Sequence, residues 1–281
     1  MKKLTPILDN LTFAEGPRWR DGRLWFSDFY AYEVIAVDIQ GNRETICTIP
    51  EQPSGLGWTP DGVLLIVSMR DQKLVRLEDD KLVEHADLSE HANYWCNDMV
   101  VDAQGGAYVG NFGFNRHGGE EPRSTTLVRV TPEGAASIAA DGLWFPNGTV
   151  ITPDGETLVV AETRAGRLTA FDIAGDGSLS NRRIFAETAG LYPDGICLDA
   201  EGAIWVTDPH AKEIIRFRDG GEITERIKLE GGYGPYACML GGDDLKTLFV
   251  CTNLDSGPEI AKGRTGRIEI TQVDVPGAGL P

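Results

Sequence analysis

The sequence has no long hydrophobic run. Its longest apolar stretch is Val63–Val67, far short of the roughly 20 residues that a membrane-spanning helix needs. Basic residues are also scarce: 26 Lys and Arg face 43 Asp and Glu, leaving a formal charge of −17. Nucleic acids and anionic membrane surfaces would repel such a chain, so neither is an expected partner. The same field disfavours an anionic substrate unless a bound cation offsets it. Histidine is nearly missing, and His85, His91, His117 and His210 show no His-x₃-His spacing. There is no Cys-x₂-Cys pair either, which excludes a zinc-finger type of site. Walker and Gly-x-Ser-x-Gly patterns are absent. The five cysteines (Cys47, Cys96, Cys197, Cys238, Cys251) are odd in number and fall mostly in apolar runs. Free buried thiols and a cytoplasmic location are therefore expected. Asp9 interrupts the basic start before an apolar region develops, so no secretory signal is expected.

What the chain does have is repetition. In Leu191–Asp208 a turn signal, Pro193-Asp194-Gly195, leads into the apolar run Ile196–Leu198. A second turn at Glu201-Gly202 and a second run, Ala203–Val206, follow; together they read as a β-hairpin. Five more copies begin at Glu15, Ser54, Asn97, Asn147 and Tyr236, so that consecutive copies lie 39, 43, 50, 47 and 42 residues apart. Four strand-like runs per unit at this period predict an all-β, six-bladed propeller of four-stranded antiparallel blades, one domain over residues 1–281. A ring of sheets must be closed, and the apolar segment Leu4–Leu8 is expected to supply the outer strand of the last blade.

In such a blade the first strand follows the central channel and the second returns antiparallel. The residue leading strand one and the residue ending strand two then share one mouth of the channel. The leading ring is Glu15, Ser54, Asn97, Asn147, Asp194 and Tyr236; the trailing ring is Asp28, Met69, Asn111, Glu162, Asp208 and Asn253. Two carboxylates and two carboxamides converging on one axis suit a hard cation. Like charges brought together also need a cation or a proton. The competing explanation is turn chemistry, because Asn-Gly and Asp-Gly are common turn dipeptides; Glu15 has no such role. Asp98 is read as structural, accepting turn amides inside its blade. Asp28, Glu162 and Asp208 fit either support of the site or plain loop positions. Aromatic residues crowd the same mouth (Phe29, Tyr30, Trp95, Phe112, Phe145 and Tyr236 among them), which predicts a cleft with apolar walls over a polar floor.

Several segments resemble a known family: Ala14–Trp19, Asn97-Asp98 with Val101-Asp102, Pro146-Asn147-Gly148, Ser180–Arg183 and Pro193–Asp199. They are similar, in order, to the regucalcin, gluconolactonase and luciferin-regenerating-enzyme group of six-bladed propellers. The resemblance implies one divalent metal held by Glu15, Asn147 and Asp194, with Asn97 holding water or substrate nearby. It implies lactone hydrolysis, with Asp194 and Asn97 as the catalytic pair. Calcium is the first choice for such an oxygen set; zinc, manganese, magnesium and iron stay open. Two departures bear on the substrate. Trp95 stands where sugar lactonases often carry an Arg, and Asn115 where some carry a Glu. Both changes remove grips on hydroxyls and favour a lactone less polar than an aldonolactone. Substrate contacts are expected from Trp95, Asn97, Phe112, Asn115, Trp144 and Asn147. Hydrolysis of an organophosphate ester at the same site, or a non-catalytic calcium-binding platform, are the alternatives.

Overall fold

The computed structural model describes residues 2–116, 118–188 and 190–279. His117, in the loop after the second strand of the third repeat, lies outside the described residues. The hairpin turns follow from the local sequence. Asp21 and Gly22 both adopt left-handed conformations (φ 51° and 74°), the backbone of a two-residue turn whose twist matches the flanking strands. Apolar residues on both faces of the strands they join are then buried between blades.

Six four-stranded antiparallel sheets result. Their inner strands are Ala14–Arg20, Pro53–Trp58, Cys96–Val101, Pro146–Ile151, Ile196–Leu198 and Gly234–Gly241. Five blades use consecutive strands, and the sixth takes Thr5–Leu11 as its outer strand. That strand pairs with Gly266–Gln272, Thr5 opposite Ile270, so the N-terminus closes the ring as expected. Trp19 of blade one stacks on Phe249 of blade six at 5.0 Å, reinforcing the closure.

The core lies mainly between neighbouring blades. Val159, Ala161 and Leu168 of blade four pack with Ile196, Ile204, Val206 and Ile215 of blade five. Each of the Val, Leu and Ile side chains among them stabilises by about 1.5–3 kcal/mol on full burial. The glycine after a leading residue serves this packing rather than a turn. Gly148 and Gly195 follow Asn147 and Asp194, and a Cβ on Gly195 would meet the Ala237 Cα at 2.5 Å. Their N–H groups donate to the next blade's backbone, Gly148 to Asp194 O at 3.2 Å and Gly195 to Tyr236 O at 2.8 Å. The turn-dipeptide explanation of Asn147-Gly148 therefore fails, and close inter-blade approach replaces it. All five cysteines are free thiols, four of them buried. Among the described residues no helix is long and apolar enough to cross a membrane.

Candidate metal centre and cavity

Five of the six leading residues, Glu15, Asn97, Asn147, Asp194 and Tyr236, line one cavity of about 210 Å³ at the channel mouth. That volume is slightly below the ~300–1,000 Å³ usual for small-molecule sites, a scale for a single ring rather than a polymer. The sixth, Ser54, stands behind Asn97, its hydroxyl donating to Asn97 Oδ1 at 3.4 Å. Asn147 and Asp194 touch directly, with the amide Nδ2 donating to Asp194 Oδ1. Thr163 fixes this pair from the side. Its hydroxyl receives Asn147 Nδ2 at 3.3 Å and donates to Pro193 O at 2.7 Å.

The trailing ring explains how the leading side chains are aimed. In blades one, four and five the trailing residue is a buried carboxylate that grips backbone amides just upstream of the leading residue. Asp28 accepts from Thr12 N at 3.0 Å and Phe13 N at 2.7 Å, ahead of Glu15. Glu162 accepts from Trp144 N at 2.8 Å, ahead of Asn147. Asp208 accepts from Tyr192 N at 2.8 Å, ahead of Asp194, and from His210 N and Ala211 N. These three blades are the ones that present Glu15, Asn147 and Asp194. Phe145, two residues before Asn147, holds a left-handed conformation (φ 59°), uncommon for a bulky side chain. Its ring is stacked on Phe112 at 4.9 Å.

The floor of the cavity is electrostatically unsettled. Four other buried or nearly buried carboxylates have arginine partners: Asp98 with Arg18 at 3.0 Å, Asp102 with Arg129 at 2.8 Å, Glu162 with Arg167 at 2.8 Å and Asp199 with Arg216 at 2.6 Å. Asp28 and Asp208 are held instead by several backbone amides. Among the described residues Glu15 and Asp194 have no such ion pair. Burial pushes the Asp194 carboxyl up to about 7, with Arg116 and Asn147 pulling it down and Asp208 and Asp98 adding repulsion. Burial first, then the Asp194 and Asp98 charges, hold Glu15 well above the ordinary carboxylate range. Two acids that no arginine pairs with, together with an amide, fit a divalent cation with oxygen ligands. Asp98 takes the structural role expected of it, accepting from Met99 N at 2.8 Å as well as from Arg18.

The walls are aromatic. Phe13, Phe29, Phe112, Phe145 and Tyr236 form one buried cluster with Met69, and Tyr30 and Trp95 pack against it. Trp95 and Phe112 therefore stand on the cavity wall as expected. Trp144 and Asn115 do not. Trp144 is 39% exposed, and only its backbone N–H is tied to the site's framework, through Glu162. Asn115 turns into its own loop, where its Oδ1 accepts from Gly118 N at 2.7 Å. Conversely, Arg70, Arg116 and Arg164 line the cavity although nothing in the repeat marks them, and His210, in the loop that follows its blade's second strand on the mouth side, lines it too.

Comparison with known proteins agrees with this architecture. The family described as SMP-30/Gluconolactonase/LRE-like region matches residues 13–253. A diisopropyl-fluorophosphatase of Loligo vulgaris is 25% identical over 264 residues, covering 80% of this chain and 81% of its own. An L-arabinolactonase of Azospirillum brasilense is 23% identical over 227 residues, covering 77% of this chain and 73% of its own. The structure of a luciferin-regenerating enzyme superposes with a TM-score of 0.83 at 18% identity, covering 99% of this chain and 97% of that one.

Proposed function

Because the chain belongs to the SMP-30/gluconolactonase/LRE-like family, we propose that it is a divalent-metal-dependent hydrolase that opens a lactone. Glu15, Asn147 and Asp194 would hold the cation, calcium being the first candidate for an all-oxygen set. The observation that carries this is the pair of carboxylates without ion-pair partners that share a small aromatic-walled cavity with two carboxamides. When bound, a divalent cation polarises an ester carbonyl and acidifies a water. Asp194 accepts the proton of the attacking water as its oxygen bonds to the acyl carbon. The ring C–O bond breaks, and the proton passes to the departing alkoxide, giving a hydroxy acid. Asn97 lies on the same wall and donates its amide to the carbonyl oxygen as charge develops there. Glu15 contributes charge to cation binding, and the aromatic walls seat the ring and exclude water.

The test is hydrolysis of a lactone panel with and without a chelator, and in Asp194→Ala. Turnover that survives both treatments unchanged would overturn the mechanism. A second reading is favoured by the likeness to diisopropyl-fluorophosphatase: the same groups would direct water at a phosphorus ester. Including organophosphates in the panel separates the two, and cation binding without turnover of either class would indicate a binding platform. The free thiols accord with a reducing, cytoplasmic setting.

A further inference from the structure

The cavity wall contrasts in charge with the rest of the molecule. The chain carries −17 overall, yet the wall presents Arg70, Arg116 and Arg164 against only Glu15 and Asp194. Among the described residues none of these three arginines has a carboxylate ion pair, whereas Arg18, Arg129, Arg167 and Arg216 do. Instead they are held by neutral groups. Arg70 donates through Nε to Gln52 Oε1 at 2.8 Å and lies 5.1 Å from the Trp95 ring centre. Arg116 reaches Ser256 Oγ at 3.3 Å, and Arg164 lies 6.0 Å from the Phe114 ring centre. Arg116, Arg164 and His210 are exposed, and Arg70 is half-buried. In a surface so rich in acid, guanidinium groups without carboxylates, gathered on one cavity, are a recognition feature rather than a consequence of composition.

We propose that the substrate carries its own acidic group, a carboxylate by first choice, gripped by these arginines while its ester carbonyl lies over Asp194 and Asn97. The orientation rests on the hydrolase reading given above; the anion site at the rim does not. A guanidinium matches a carboxylate through two parallel N–H donors, and at half-buried Arg70 the Trp95 ring beside it strengthens the attraction by limiting water. The acidic floor repels the same group, so the ligand enters with one polarity only. The preferred substrate is thus a lactone or ester with an apolar body and an acidic tail. The overall negative charge argues against an anionic substrate only at long range. Within about 8–10 Å, the Debye length at ordinary salt, the local guanidinium groups decide.

Calorimetry with tetrahydrofuran-2-carboxylate and its neutral carboxamide tests the rim without any hydrolysable ester. The carboxylate should bind at least about tenfold more tightly, as charge-assisted hydrogen bonds allow, and the advantage should vanish in Arg116→Gln/Arg164→Gln. Equal affinities in the wild type overturn the proposal, as does a carboxylate preference that survives undiminished in the double variant, since Arg116 and Arg164 would then contribute nothing and Arg70 alone or a bound cation would be its source. A parallel assay with 5-oxotetrahydrofuran-2-carboxylate and its amide keeps the two ideas apart. Loss of turnover with both lactones, alongside a retained carboxylate preference in calorimetry, sinks the hydrolase and leaves the acid-binding rim standing.

Discussion

Asp98 and Asp194 lie close enough to repel each other, yet of the two only Asp98 has an ion-pair partner. Arg18, itself buried, pairs with Asp98 at 3.0 Å, and the two form a structural unit beneath the site. Arg18→Met should therefore cost about 3–5 kcal/mol in denaturant unfolding, because it strands a buried charge. Adding Asp98→Asn should recover much of that loss. At Asp194 the sign reverses. Asp194→Asn removes repulsion from Glu15, so the metal-free variant should melt at or above the wild type. Calcium should then raise the wild-type melting temperature, by a shift worth about 2.7 kcal/mol at a hundredfold excess over Kd, and leave the variant unmoved. Both residues were legible in the sequence, since the repeat places Asp194 on the axis and Asp98 one step off it. Asn115 and Trp144 were not. Asn115 is turned into its own loop by a hydrogen bond from Gly118 N, and Trp144 is exposed to solvent.

Between the single residue and the ring, the working unit is the strand-end clamp. A carboxylate at the end of strand two holds the segment that enters strand one, so the stiffness of strand two is passed to a loop. Asp208→Ala leaves the Tyr192, His210 and Ala211 amides without that partner. It should cost about 1–3 kcal/mol and weaken calcium binding by displacing Asp194, both read in one calcium titration of thermal melts. Glu162 supplies the pH test. Burial alone would raise its pKa, but hydrogen bonds from Arg167, Thr169 and Trp144 outweigh it and hold the group below its ordinary value. A depressed carboxyl stabilises the fold above its unfolded pKa and loses that contribution as pH falls through the folded pKa. The stability gap between wild type and Glu162→Gln should thus be full at pH 7 and close on acidification below about pH 4, the ordinary range for Glu. Melts at matched pH would show it; a gap independent of pH would dismiss the clamp's charge.

For the whole molecule, closure is the cooperative event. Removing residues 1–11 takes away the outer strand of the sixth blade and bares the edge of Gly266–Gln272. Exposed edges pair with other chains, so the truncated protein should aggregate on mild heating where the full chain stays monodisperse by light scattering. The sequence by itself determined the blade number, the closing strand and the presence of Glu15, Asn147 and Asp194 at one mouth. Each of these is carried by a period, and a period survives in one dimension. Only the tertiary structure decided which carboxylates lack an ion pair, which trailing acids clamp a loop, and that three arginines from separate loops line one cavity. Those facts depend on distances between segments far apart in the chain, and loop side chains obey no repeat that would reveal them beforehand.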